Sequence, residues 1–353
     1  MPSSFDAFLH SQGFVLLDGG LASELERTGH DLNDPLWSAK ILLEDPAAIE
    51  AVHTSYLRAG ADCVITATYQ ATFEGLAARG VTHAAAEAVF RDAVDLAVRA
   101  RDRFWADEAN RRRPARAPAG APASPATQST ARTRPLVAAS IGPYGALLAD
   151  GSEYHGNYGI GAAALADFHR PRLHLLADTP ADILACETIP SFPEARALAA
   201  LVEDSTDKPA WFTFTCRDDA HLSDGTPIAE VAAWADEAGG VVATGVNCTP
   251  ARLLPPIIRT LAAATTKPVV AYPNGGGEWL PETKTWGRAD DAPDWAEACR
   301  SWVAAGAVAV GGCCRIGPEA IRTMRSALAH GARESHTTAQ GVPNAGSPRE
   351  ATA

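Results

Sequence analysis

Eight short apolar runs, each followed by a longer amphipathic stretch, constrain the fold of this chain more than any other feature. They fall at 14–18, 63–67, 136–141, 183–187, 210–215, 241–247, 268–272 and 307–311. None shows strict alternation of apolar and polar residues, so each reads as a strand buried on both faces, as in a parallel sheet covered by helices. Helical stretches follow each of these strands, for example at 47–59, 84–107, 250–264 and 318–329, with Pro250 and Pro318 placed where a first helical turn tolerates a missing N–H. Eight such units over about 330 residues fit a single (β/α)8 barrel better than two doubly wound domains. The segment Gly19-Gly20-Leu21-Ala22-Ser23 after the first strand does not complete a dinucleotide fingerprint, which weakens the doubly wound alternative.

Of the 353 residues 46% are apolar, enough for one large core. The formal charge of -12 speaks against a nucleic-acid partner, because binding phosphates requires a positive field. One segment opposes this trend: 111–134 contains six Arg and no acid in a Pro, Ala and Ser-rich context. It reads as a disordered insertion, beginning near residue 108, between the second helix and third strand, on the barrel face opposite the catalytic loops. The barrel is then expected over 1–330, and 331–353 as a disordered tail. No apolar run is long enough to cross a bilayer and the opening residues lack a secretion signal, so a cytoplasmic protein with no membrane partner is expected. Seven cysteines, two of them adjacent, do not make the paired framework of a secreted disulfide scaffold.

In a barrel the chemistry gathers at the C-terminal ends of the strands. Asp18 ends strand one, Thr66, Thr68 and Tyr69 lie at the end of strand two, and Glu187 ends strand four. Cys248 follows strand six, and Cys313 and Cys314 follow strand eight, which closure makes a neighbour of strand one. Three thiolates suit zinc, a borderline-soft ion that takes sulfur tetrahedrally, and would leave one position open for a substrate. Adjacent residues in a strand point to opposite faces, so Gly311-Gly312 are expected to take conformations closed to other residues and turn both sulfurs inward. A vicinal disulfide between Cys313 and Cys314 is the competing reading. Cys63, Cys186, Cys216 and Cys299 read as small buried apolar residues. Asp18 could instead cap the helix that follows it, and Glu187 could pair with a core Arg or backbone.

The chain resembles the homocysteine S-methyltransferases. The resemblance is carried by DGGLASELERTG at 18–29, DPLWSAK at 34–40, AGADCVITATYQAT at 59–72 and GPYGALLADGSEYHGNY at 142–158. CETIPSFPEA at 186–195, GVNCTP at 245–250, AYPNGGGEW at 271–279 and GGCCRIGPEAI at 311–321 extend it along the chain. It implies zinc held by Cys248, Cys313 and Cys314, activating the thiol of homocysteine, whose amino group Asp18 and Glu187 would recognise. Gly19, Gly20, Thr66 and Asn247, beside these groups, are expected to be further substrate contacts.

The resemblance also bears on the methyl donor. At this length the cobalamin and folate modules of the large methionine synthases are not expected, and neither is a methylfolate donor. DPLWSAK, ITATYQAT and AYPNGGGEW look most like the subgroup that uses a sulfonium, S-methylmethionine or S-adenosylmethionine. A betaine-dependent enzyme would need an aromatic pocket for a quaternary ammonium, to which Trp37 and Tyr69 could contribute. A selenocysteine methyltransferase shares the same motifs. A zinc or redox-responsive binding barrel would keep the cysteines but have no need of Asp18 and Glu187. A barrel acting on phosphorylated substrates would not be expected to carry cysteines after Gly311-Gly312.

Overall fold

The structure, a computed structural model, describes residues 4–111, 132–277, 279–280, 285–287 and 292–338. Eight parallel strands form a ring: β1 Val15–Leu16, β2 Cys63–Ile65, β3 Leu136–Ile141, β4 Ile183–Ile189, β5 Ala210–Phe214, β6 Val241–Pro250, β7 Val269–Asn274 and β8 Ala307–Val310. Consecutive strands pair from β2 to β8, and β8 pairs with β1 through Val15 with Ala309 and Leu16 with Val310. A bridge between Leu17 and Cys63 joins β1 to β2 and closes the (β/α)8 barrel. A two-stranded antiparallel ribbon, Trp279–Leu280 with Thr285–Trp286, stands between β7 and the helix Trp295–Ala305.

Each of the eight expected strands is present; 136–141 matches β3 at both ends and the other seven are shifted at one end or both. β6 runs through Pro250, so that proline ends a strand and does not open a helix; a 3-10 turn Ala251–Leu253 intervenes before the helix Leu254–Ala264. Pro318 does open its helix, which extends through Thr338, past the position expected for the tail. Residues 339–353 lie outside the described residues, as do 112–131 of the Arg-rich insertion. The ends of that insertion are held together: the Arg132 N–H donates to the Arg111 carbonyl at 2.8 Å. The Arg132 guanidinium donates to the carbonyl of Ala61, below the start of β2, at 2.5 Å. The insertion therefore leaves from the N-terminal end of the barrel.

Two apolar layers hold the fold. Helices pack on the outside of the sheet through residues such as Phe90, Leu173, Leu198 and Ile257. Inside the ring, small residues at Ala138, Ala185, Ala243 and Ala309 leave room for Trp211 and Tyr272. A helix preceding β1, Asp6–Gln12, has no counterpart among the expected elements and plugs the N-terminal end, with Phe5 5.9 Å from the Trp211 ring. Among the described residues no helix is long and apolar enough to cross a membrane.

Candidate active site

At the C-terminal end of the barrel the loops enclose a cavity lined by Gly19, Gly20, Thr66, Glu187, Cys248, Cys313 and Cys314, together with aromatic residues. The two glycines of the first loop are required by close approach. A Cβ on Gly19 would lie 2.1 Å from the Ile316 carbonyl oxygen, and one on Gly20 2.7 Å from that of Cys313. The loop thus packs directly on the turn that carries two of the cysteines, and the Gly20 N–H donates to the Ile316 carbonyl at 2.9 Å. Tyr56, from the helix Pro46–Ala59, places its hydroxyl 3.0 Å from the carbonyls of both Gly20 and Ile316.

Gly311 and Gly312 serve in a different way from the one expected. Neither is left-handed; the positive φ values fall at Arg315 (66°) and Cys248 (45°). What the two glycines supply is space, since a Cβ on Gly311 would meet Leu17 at 2.6 Å and one on Gly312 the Ile316 side chain at 2.3 Å. Trp37, Ala149, Thr188 and Cys248, all lining the cavity, are left-handed non-glycine residues, and Arg315 directly follows Cys314. Strained backbone is thereby concentrated around the cavity, as at sites where surrounding structure over-determines the geometry.

The Sγ atoms of Cys248, Cys313 and Cys314 all lie within 4.8 Å of one another, and among the described residues no other group of His, Cys, Asp or Glu could hold a metal ion. Cys248 and Cys313 are joined in a disulfide, with Cα atoms 5.7 Å apart, while Cys314 is free. The vicinal Cys313–Cys314 bridge is therefore replaced by one that links β6 to the turn after β8. Cys63, Cys186, Cys216 and Cys299 are free and buried, outside the cluster.

Asp18 does not cap the following helix, whose N-cap is Gly20 without a side-chain hydrogen bond. One carboxylate oxygen accepts from the Ile65 N–H at 2.8 Å, and Oδ1 is buried without a partner. Burial, reinforced by the charge of Glu187, raises its pKa well above the usual carboxylate range. Asp18 lies behind the wall formed by Gly19 and Ile65 and does not itself line the cavity.

Glu187 does line it, and its partners are hydroxyls instead of an Arg. Ser140 donates to Oε1 at 2.5 Å and Tyr272 to Oε2 at 3.0 Å. Because the Tyr272 proton is committed to Glu187, Thr213 (2.6 Å) and Trp211 (3.3 Å) both donate to the Tyr272 oxygen. Burial pushes the Glu187 pKa up to about 7, against the opposing pull of these two hydroxyls.

Two expected substrate contacts have structural work. The Thr66 hydroxyl accepts from the Ser140 N–H at 3.0 Å and lies 2.7 Å from Thr68, whose own proton goes to the Ser140 carbonyl. Thr66 thus lines the cavity while its hydroxyl aligns β3, and with it the Ser140 side chain. Asn247 is fully buried and absent from the wall; its amide accepts from the Thr188 N–H at 2.8 Å and donates to the Thr188 hydroxyl at 2.7 Å. It fixes the left-handed turn after Glu187, a role that the residue type alone does not distinguish from ligand binding.

Ser140, Tyr272, Thr188, Glu153 and Tyr154 belong to the site or its support, yet were not singled out in the sequence. Glu153 and Tyr154 stand in GPYGALLADGSEYHGNY and Tyr272 in AYPNGGGEW, so the motifs held the signal. Which member of each motif faces the cavity depends on the path of the loop.

A family model described as homocysteine S-methyltransferase matches residues 15–328. The homocysteine S-methyltransferase YbgG of Bacillus subtilis is 48% identical over 90% of this chain and 95% of its own length. A selenocysteine Se-methyltransferase of Brassica oleracea is 42% identical over 90% of this chain and 89% of its own. The crystal structures of the Escherichia coli homocysteine methyltransferase MmuM in oxidised and metallated forms superpose with TM-scores of 0.78 and 0.77, at 41% identity over 92% of this chain and 99% of that one. The match extends through the barrel and both cysteine-bearing turns, and the chain belongs to the homocysteine S-methyltransferase family, enzymes that transfer a methyl group to homocysteine.

Proposed function

We propose that the methyl donor is a sulfonium, S-methylmethionine first and S-adenosylmethionine second, that the acceptor is L-homocysteine, giving methionine, and that Cys248, Cys313 and Cys314 hold zinc. The observation that carries this reading is the gathering of three sulfurs within 4.8 Å of one another on a cavity that also presents the buried carboxylate of Glu187. With the Cys248–Cys313 bridge reduced, the three cysteines offer three thiolates, a set that fits zinc and is a poor match to the oxygen-seeking divalent ions. The metallated form of the E. coli relative agrees with a metal in this family. Zinc, when bound, supplies the Lewis acidity that keeps a sulfur nucleophile deprotonated at neutral pH.

The remaining work belongs to the chain. Glu187 anchors the homocysteine ammonium, held in place by Ser140 and by the Trp211/Thr213–Tyr272 relay. Asp18 adds a second negative charge behind the same wall, with an oxygen left free of protein partners. A cation placed beside these acids favours their ionised forms and offsets the burial that raises them. The faces of Trp37 and Tyr69, with ring centroids 6.4 Å apart, suit a donor that carries positive charge. In this geometry, displacement at the methyl carbon requires mainly alignment of donor and acceptor, which the rigid turns provide.

The test is an assay of reduced, zinc-loaded protein with homocysteine and, in parallel, S-methylmethionine, S-adenosylmethionine and betaine, with selenocysteine as an alternative acceptor. Methionine should form fastest with S-methylmethionine, and metal analysis should find one zinc per chain. Cys314→Ser should lose both zinc and activity while the protein stays folded. Faster turnover with betaine, or a reduced protein active without zinc, would overturn the reading.

A further inference from the structure

The cavity contains a carboxylate, Glu153, that is not one of the proposed homocysteine anchors. Glu153 stands in the 3-10 turn Ser152–Tyr154 after β3, and its Oε2 is buried without a hydrogen-bond partner. Among the described residues no Lys, Arg or His pairs with it. An ionised oxygen in that state is costly unless a ligand supplies the missing partner. The turn is also built to keep it there. Gly145 packs so tightly beneath that a Cβ would lie 2.4 Å from the Glu153 nitrogen, and the Thr215 hydroxyl, at the end of β5, donates to the Glu153 carbonyl at 3.2 Å.

Its attachment separates Glu153 from the proposed ammonium anchors: Glu187 is held by Ser140 and Tyr272 and Asp18 by the Ile65 N–H, whereas Glu153 sits in the turn after β3, tied at its carbonyl to Thr215. Glu153 lines the same cavity as the sulfur cluster, next in sequence to the aromatic residue Tyr154. Homocysteine brings a single ammonium, which Glu187 and Asp18 already address. A further buried carboxylate calls for a further cation.

We infer that Glu153 is the counter-charge for the positively charged methyl donor and sets the specificity of the enzyme for cationic over neutral donors. The inference rests on the sulfonium reading above and adds the residue that would select the donor. The carboxylate faces positive charge on the donor, carried by its sulfonium or by its ammonium. Tyr154 and Tyr69 give the adjoining apolar and aromatic surface.

The test compares wild type, Glu153→Gln and Glu153→Asp by calorimetric titration of the zinc-loaded protein with S-methylmethionine, with homocysteine, and with dimethylpropylsulfonium, which lacks the amino acid group. Loss of a charge-assisted contact should weaken S-methylmethionine binding by about 10-fold to 150-fold in the Gln variant. The Asp variant should recover part of the loss, and homocysteine binding and zinc content should stay at the wild-type level. Parallel weakening of dimethylpropylsulfonium would place the sulfonium at Glu153; weakening confined to S-methylmethionine would place the ammonium there. Either result supports a counter-charge for the donor cation. Unchanged S-methylmethionine binding in Glu153→Gln, equal weakening of homocysteine, or no sulfonium binding by wild type would overturn it. Glu153-dependent sulfonium binding without methionine formation would instead keep this inference and remove the reading of the reaction.

Discussion

Two buried aspartates at opposite ends of adjacent strands show what separates the working end of this barrel from its supporting end. Asp62 precedes β2 at the N-terminal end and is fully buried, as Asp18 nearly is after β1. Asp62 is saturated: Arg325 donates to both of its oxygens at 2.9 Å, Gln12 donates at 2.6 Å and the Leu16 N–H at 3.0 Å, and Arg132 lies 3.6 Å away. Asp18 has the Ile65 N–H on one oxygen and nothing on the other. The same contrast recurs between Asp182, paired with Arg101 and the Val137 N–H below β4, and Glu187 at the top of that strand. Asp62 and Asp182 at the lower end are partnered by arginines of the fold, whereas Asp18 and Glu187 at the upper end have no Lys or Arg partner among the described residues.

The largest test of this contrast is Asp62→Ala. Removing one member of a buried ion pair leaves the other charges uncompensated, so stability should fall by about 3 to 5 kcal/mol in denaturant titration. At low temperature the folded fraction should retain wild-type KM values. A change in homocysteine KM would mean that the two ends are not independent.

Glu187→Gln should act in the opposite sense. Homocysteine affinity should drop by about 10-fold to 150-fold, from the loss of one charge-assisted hydrogen bond to an ammonium. The loss should be smaller for a simple thiol without an amino group, and zinc content should not change. Stability should move with pH as well. A folded-state pKa of about 7 against 4.5 in the unfolded chain means that the native state holds the extra proton between these values. The unligated protein therefore loses stability as pH rises through that window, by up to about 3 kcal/mol, and the penalty is complete above it. Glu187→Gln removes the penalty, so its melting temperature should exceed that of the parent at pH 8 and match it near pH 4.5. A variant less stable than the parent at pH 8 would show that Glu187 supports the fold as Asp62 does.

The smallest effect is expected from deleting 112–131 while keeping Arg132, whose contacts with Arg111 and Ala61 tie the ends of the insertion to the lower face. Catalytic rate with S-methylmethionine and homocysteine should stay within about twofold, because loops on that face lie away from the chemistry. A large loss of rate in a folded deletion variant would place part of the insertion at the mouth.

Much of this architecture is legible in the sequence. The eight apolar runs predict the eight strands because a strand covered on both faces needs an unbroken apolar sequence, and 136–141 matches β3 at both ends. The helix Asp6–Gln12 was missed because it is short and stands ahead of the repeating pattern, and its role as a plug depends on Trp211, far along the chain. Cys248, Cys313 and Cys314 could be grouped because barrel closure brings the ends of strands six and eight to one mouth.

The sequence by itself determined the barrel, the face on which chemistry occurs and the set of residues available there, since periodicity and strand-end placement are local properties of the chain. Tertiary structure alone decided how those residues divide their work. Thr66, Asn247 and Glu187 are all polar residues at strand ends, yet Thr66 spends its hydroxyl on Ser140 and Thr68, Asn247 clamps Thr188, and Glu187 lines the cavity with its carboxylate. Likewise Cys313 has a sulfur neighbour in sequence at Cys314 but bonds to Cys248, 65 residues away. A polar group's role depends on which of its hydrogen-bonding atoms the fold has already satisfied, and those partners come from other strands and loops.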